Sequence, residues 1–495
     1  MTNISIYQIW KENLPNVEIL TEKLSHQYSL NITEYKELAI QSVLKPKNFS
    51  EIKAIVNCAN QFKLPIAPIS SGKNWGQGSK LPIQPNHSIV ELSSMKKIRV
   101  IDEQIRYIII EPGVTQKELS DALLGTAFMI PMTGSGEDTS IVGNLLERGA
   151  TSFYHRNDLV LGWEVILGNG ETLRTGFWHF VGDKPLGGLF HPAGVGPDLN
   201  GLFTQSNFGI VTAVALRLLP KQDGTIVLLE TEESKISDII TAINGLIDEN
   251  IVENWSFLTN KNDPRTTRNR QYTYTGNWIS AVIIKGPNEI RKIAFNCVKN
   301  RLENLCHQVF GLDSTTPDEY LPDEYFKIIK KLWHGIPSNY SLQSLYGMNN
   351  TIFDKDRSNI DQDKEIFGFS AVLPCVPFEG ESIVKVLEIA KDVSEKWKVQ
   401  GFYNFTFLEE NVFEGYFRVY FDRSDAEQIC IAHQWNEDLN KALEKIGIFP
   451  YRLNNLMMPY FFNRPTDVFS QTIALLKDSL DPNGVINLGK YSPIF

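Results

Sequence analysis

The stretch PISSGKNWGQGS, residues 68–79, constrains this chain more than any other. Upstream of it, Ile52, Ile55, Val56 and Ala59 fall at helical spacing, and Pro65 then breaks the pattern. Residues 66–69 follow as an apolar run that predicts a buried strand. That strand runs into Gly72, Gly76 and Gly78, with Ser70, Ser71 and Asn74 among them. Glycines spaced in this way let successive N–H groups turn toward one point and let an anion approach with no Cβ in its path. A pyrophosphate suits such a cradle, although a plain glycine-rich connection has the same composition. The spacing is neither GxxxxGK[ST] nor GxGxxG, so the loop is not a P-loop or a Rossmann fingerprint.

A chain of 495 residues exceeds one ordinary core and predicts more than one domain. A formal net charge of −10 argues against nucleic acid as a partner, because phosphate backbones need a basic face. The five cysteines, Cys58, Cys297, Cys306, Cys375 and Cys430, are scattered, with no CxxC pair and no zinc-like spacing to histidine. They predict neither a disulfide framework nor a metal site, and they fit a reducing, cytoplasmic setting. The N-terminal residues lack a signal-peptide pattern, and no run of about 18 apolar residues predicts a membrane span.

Taken in order, residues 4–30 predict helix, 38–44 a strand, and 88–92, 98–101 and 107–110 further short strands, followed by a helix over 116–124. A second glycine-rich stretch, PMTGSGEDTSIVGNLLERG, carries Thr133, Gly134, Gly136, Gly143 and Asn144, with a helix starting near Gly143. A hydroxyl-rich loop entering a helix N-terminus suits an anion or a polar ring, and equally an ordinary capped start. Gly168-Asn169-Gly170 between apolar runs predicts a hairpin. After Lys221 the texture changes. Strands are predicted over 225–231, 278–284, 367–373, 403–408 and 416–421, with helices over 234–247, 290–302, 380–396 and 424–445. The last helix opens on a capping box beginning at Ser424. Residues 311–365 predict loops, and residues 467–480 a final helix before the tail DPNGVINLGKYSPIF. The layout is α+β, with an antiparallel sheet layered by helices in the second half.

The ordered set LKPKNFSEIKAIVNCANQFKLPIAPISSGKNWGQG, EPGVT, SIVGNLLERG, WEVILGNGETLRTG, GPDLNGLFTQSNFGIVT and DPNGVINLGK resembles the vanillyl-alcohol oxidase and p-cresol methylhydroxylase family. The resemblance implies a two-lobed FAD-binding domain of the p-cresol methylhydroxylase type with an inserted cap domain. Residues 1–222 would form its N-terminal part, 223–450 the cap, and 451–495 a C-terminal segment completing the FAD-binding domain. It places the FAD pyrophosphate against Pro68, Ile69, Ser70, Ser71, Gly72 and Lys73, continuing through Asn74, Trp75, Gly76 and Gln77. Thr133, Gly134, Gly143 and Asn144 would follow the ribityl chain and flavin, with the backbone of Gly209, Ile210 and Val211 on the adenine side. Arg148 would lie near the flavin and Lys490 near its ring edge.

Two departures from the family pattern shape the expectation. Members often fix FAD covalently through a histidine or tyrosine on a cap strand, but FGFSAVLPCV at 367–376 has neither, and the glycine loop has no histidine. Non-covalent FAD is therefore expected, with Cys375 as the nearest reactive side chain. Phenol-oxidising members hold a phenolate between tyrosines and an arginine. Tyr451 and Arg452 match one such pair and are the catalytic candidates, whereas the other tyrosine position is Gln77. An arginine there stabilises a phenolate or the negative charge developing at the flavin edge. Glu410, Glu414 and His155 are candidate general bases. The implied activity is an FAD-dependent oxidoreductase, an oxidase or dehydrogenase taking a hydride from a small aromatic or conjugated substrate. Its electrons would pass to oxygen or to a protein acceptor, and a homodimer is a possible assembly. The alternatives are a 2-hydroxy-acid dehydrogenase, in which Arg452 clamps a carboxylate, and a flavin-binding subunit without turnover.

Overall fold

The computed structural model describes residues 5–36, 38–151, 154–182, 189, 191–261, 275–321, 324–342, 360–365, 367–409 and 411–494. Helix Phe49–Phe62 forms because Asn48 caps it, accepting from the Glu51 N–H at 3.0 Å, and because one face carries Ile52, Ile55, Val56, Cys58 and Ala59 into the core. It ends at Lys63 in the left-handed region, and strand Ile66–Ile69 follows. That strand is one edge of a four-stranded sheet ordered Glu18–Leu20, Ile40–Lys45, His87–Glu91, Ile66–Ile69, in which the last three strands run parallel. The C-terminal tail completes it. Ile66 N–H donates to Val485 O and Asn487 N–H to Ile66 O, each at 2.7 Å. Buried Lys477 pins the tail through Asp481 at 2.6 Å and the Asn207 and Ile486 carbonyls at 2.6 and 2.7 Å.

A five-stranded antiparallel sheet stands beside it, ordered Ile98–Asp102, Tyr107–Ile110, Gly209–Arg217, Val160–Leu167, Thr172–Arg174. The predicted hairpin at Gly168-Asn169-Gly170 joins the last two strands of that order. The remaining large sheet has eight antiparallel strands. Its order is Gln308–Asp313, Gly224–Thr231, Trp278–Lys285, Asn254–Asn260, Phe402–Glu409, Val412–Asp422, Phe367–Pro377 and Pro450–Arg452. Helices Ile236–Asp248, Asn288–Leu302, Gly380–Lys396 and Ala426–Glu444 cover one face through a core that includes Leu229, Val282, Phe405, Phe413 and Trp435. Successive strand residues face opposite ways, so Asn404, Thr406, Glu414, Tyr416, Arg418 and Tyr420 point away from that core.

The α+β class and the antiparallel, helix-layered second half are as expected from the sequence. Several elements differ. Helix in the first 30 residues is broken: Ile6–Asn13 is helical, and Glu18–Leu20 pairs as a strand after Pro15. The expected loop region 311–365 contains helix Glu324–Trp333, whose Phe326, Ile329 and Trp333 cover the other face of the large sheet at its far end. Asp425, not Ser424, caps helix Ala426–Glu444, because the Ser424 hydroxyl instead donates to Asp422 at 2.7 Å. Strands Asn254–Asn260 and Gln308–Asp313 were not foreseen. No described helix is long and apolar enough to cross a membrane.

Candidate active site

A cleft of about 420 Å³ runs between the two glycine-rich loops and the uncovered end of the large sheet. The two loops pack directly on one another. Ser140 caps the short helix Ile141–Leu146, its hydroxyl accepting from Gly143 N–H at 2.9 Å, and its own N–H faces Ser71 Oγ at 3.3 Å. A Cβ on Gly143 would lie 3.0 Å from Ser70, which is why glycine stands there. Gly76 has φ +80°, and a Cβ on it would meet the Phe369 ring at 2.4 Å, so it lets the loop pass under the large sheet. Asp363 fastens the end of this loop, accepting from Ser79 Oγ at 2.6 Å and Ile32 N–H at 2.9 Å.

Of the residues singled out in the glycine loop, Pro68, Ile69, Ser70, Ser71, Gly72 and Lys73 line the cleft, as do Asn74, Trp75 and Gln77. Thr133, Gly134, Gly143 and Asn144 form the next wall, Gly209, Ile210 and Val211 another, and Lys490 and Arg452 complete the lining. Gly76, Arg148 and Tyr451 lie behind it. The Arg148 guanidinium rests on Thr204 Oγ1 at 3.4 Å, and its carbonyl accepts from the Tyr451 hydroxyl. Arg452 Nη2 donates to Asn74 Oδ1 at 2.7 Å, joining the C-terminal segment to the glycine loop. Cys375 lies outside the cleft lining, and burial, with Glu409 and Glu414 nearby, pushes its thiol up, away from the nucleophilic thiolate.

Charge in the cleft is arranged in pairs. Lys490 Nζ stands 2.9 Å from Glu147 Oε1, and Tyr491 donates to Glu147 Oε2 at 2.8 Å. Burial works against the Glu147 carboxylate, but Lys490 and Arg452 outweigh it and hold the group below its ordinary range. Burial likewise pulls Arg452 down, and Glu147 and Glu414 more than restore it. Glu414 behaves oppositely. It is 7% exposed, has no hydrogen-bond partner among the described residues, and burial pushes it up to about 7 against the pull of Arg452 and His155. His155 itself bonds Asp158 at 2.9 Å through Nδ1. Glu410 lies outside the described residues. Among the described residues, no three His, Cys, Asp or Glu side chains group as metal ligands would.

Of the sheet's side chains in the cleft, sequence reasoning named Glu414 and missed the aromatic ones and Arg418. Phe369, Tyr416 and Tyr420 supply aromatic walls, and Arg418, 2% exposed, stacks 4.4 Å from the Tyr416 ring centroid. The period-2 alternation in 412–422 was the signal that could have found Tyr416, Arg418 and Tyr420. Arg156, fully buried behind Asn144, left no signal at all.

Among the described residues, the buried Trp75 Nε1, Gln77 Oε1, Arg452 Nε and Asn487 Oδ1 of the cleft lining have no hydrogen-bond partner. With the glycine loops, they fit a long ligand carrying donors, acceptors and anionic oxygens along its length, as FAD does. A helix-layered antiparallel sheet standing over two glycine-rich loops is an architecture suited to such a flavin. Residues 40–176 match the family profile described as an FAD binding domain. The chain is 35% identical over 216 residues to 1'-carboxy-chondrochloren decarboxylase of Chondromyces crocatus, a match spanning 43% of this chain and 40% of that protein. It is 24% identical over 465 residues to the 4-cresol dehydrogenase [hydroxylating] flavoprotein subunit of Pseudomonas putida, spanning 89% of this chain and 85% of that one. The fold matches that of p-cresol methylhydroxylase with substrate bound at a TM-score of 0.85 and 23% identity, covering 98% of this chain and 96% of the other. Residues 40–176 thus carry an FAD binding domain, in a chain with the fold of p-cresol methylhydroxylase.

Proposed function

We propose that this enzyme removes a hydride from a carbon of a small aromatic or conjugated substrate, a phenolic or alcohol-type compound, held between the cap sheet and the cofactor. The observation that carries this reading is the opposition, in one aromatic-walled cleft, of Arg452 and the unbonded, largely protonatable Glu414. Bound FAD supplies the two-electron acceptor. Arg452 is positioned to meet an anionic oxygen, with its Nε unpartnered and its Nη2 held by Asn74. Glu414, poised near neutrality, takes the substrate's acidic proton. Phe369, Tyr416 and Tyr420 exclude water and favour a flat substrate. Gln77 in place of a second phenolate-binding tyrosine argues against a strict 4-alkylphenol preference.

The proposal includes residues 1–222 and 451–495 as the FAD-binding domain and 223–450 as the cap. It also includes non-covalent FAD, oxygen or a protein as electron acceptor, a homodimer and a cytoplasmic location. A relative that is a decarboxylase favours a second reading: a substrate with a carboxylate on the carbon beside the hydride donor would lose CO2 as the hydride leaves to FAD, the C–CO2 bonding pair becoming the new carbon–carbon double bond. Anaerobic mixing of the FAD-loaded enzyme with phenols, benzylic alcohols, carboxylated phenols and 2-hydroxy acids tests all of these. Bleaching by aromatic compounds supports the proposal. Bleaching by 2-hydroxy acids alone replaces it, and full occupancy with no bleaching by any of them overturns it.

A further inference from the structure

Arg156 opens the 3-10 turn Arg156–Leu159 and has no exposed surface. Its guanidinium makes four hydrogen bonds. Nε and Nη2 donate to Pro131 O at 3.0 and 2.6 Å, Nη1 to Asn144 Oδ1 at 3.1 Å, and Nη2 to Gln116 Oε1 at 2.7 Å. Every acceptor is neutral, and no carboxylate pairs with Arg156 among the described residues. A buried cation without a counter-ion is expensive to hold, so its retention calls for an anion elsewhere that it favours. Its hydrogen-bond partners lead straight to the cleft. Asn144 lines it, and Gln116 Oε1 also accepts from Thr133 N–H at 2.8 Å, with Thr133 on the same wall.

We propose that Arg156 is a positioning residue whose uncompensated positive charge, one side chain behind Asn144 and Thr133, raises the reduction potential of the bound flavin. This rests on the reading of that wall as the one facing the flavin. Two-electron reduction with uptake of one proton leaves the ring with a net negative charge, whereas the oxidised ring is neutral. A nearby fixed cation in a poorly screened interior therefore favours the reduced state over the oxidised one. The same residue also fixes the shape of the wall, and the two roles separate experimentally because only the first depends on charge.

The experiment is a midpoint-potential titration of the FAD-loaded protein against indicator dyes, with FAD affinity measured in parallel. Arg156→Met should lower the potential by about 30 mV or more, a tenfold shift in the two-electron equilibrium. Arg156→Lys keeps the charge while losing the fork of donors, and should remain near wild type. Gln116→Glu places a carboxylate where Arg156 now has a neutral acceptor, and should lower the potential with Arg156 still present. Should the methionine variant not fold, the lysine and glutamate variants decide between them. Equal loss in Arg156→Lys and Arg156→Met, or an unchanged potential in Gln116→Glu, overturns the proposal. So does weaker FAD binding in Arg156→Met with no change of potential, which would place the charge near the pyrophosphate. Failure of the wild-type protein to bind FAD would instead sink the functional reading beneath it.

Discussion

Replacing Glu414 by glutamine removes a charge and a base while keeping shape, and the structure sets opposite signs for its effects on stability and rate. Strand Val412–Asp422 holds the carboxyl in the cleft wall at 7% exposure, and no hydrogen bond among the described residues compensates its charge. Burial raises it from 4.5 to about 7, the pull of Arg452 and His155 notwithstanding. A carboxyl raised on folding binds more protons folded than unfolded, so stability is highest below pH 4.5 and declines until the pH passes 7. That displacement corresponds to about 3 kcal/mol. Glu414→Gln does not titrate, so the FAD-free variant should match the wild type near pH 4.5 and exceed its unfolding free energy by about 3 kcal/mol at pH 8. Denaturant unfolding at the two pH values measures this directly. Chemistry should move the other way. Flavin reduction by substrate should slow by about 10²-fold or more, and its rise with pH through neutrality should vanish. Stopped-flow reduction normalised to bound flavin checks that half. Wild-type reduction with an unchanged pH profile would remove Glu414 from the mechanism, and parallel stability curves would refute the claim that its burial is uncompensated.

Acid precipitation of the yellow holoprotein should release all FAD into the supernatant, because neither histidine nor tyrosine stands on 367–376 and the Cys375 thiol is pushed up by burial; flavin left in the pellet contradicts this. Arg452→Ala should keep FAD but slow flavin reduction by about 10²-fold, as loss of a charge partner to a developing anion does. Arg452→Lys should recover part of that rate, since a point charge does not reproduce the planar fork; stopped-flow rates per bound flavin decide. Lys477→Met should cost about 3–5 kcal/mol, because it strands the buried Asp481 carboxylate and frees the tail carrying Asn487 and Lys490. Chemical denaturation and FAD titration of that variant should show both losses.

Local pattern was enough for much of this protein. The helix before the glycine loop, the strand that leads into the loop and the Gly168–Gly170 hairpin all rest on interactions among near neighbours. Periodicity, proline breaks and glycine spacing record those interactions directly. The ordered motifs then pointed to the FAD binding domain and to the fold. Other features depended on partners hundreds of residues away. Arg452 meets Asn74, Tyr451 meets the Arg148 carbonyl, the tail pairs with Ile66, and Phe369 crosses Gly76. The cap residues Glu414, Tyr416 and Arg418 were visible as one alternating face, but which face met the cleft was decided by the four helices that bury the other. Arg156 shows the limit most plainly. An arginine in a polar stretch reads as solvated surface, and only packing that surrounds it, among the described residues, with neutral acceptors turns it into a buried charge without a carboxylate partner. Burial and the choice of neutral over charged partners belong to the assembled fold, since both depend on what distant segments bring to the same few ångströms.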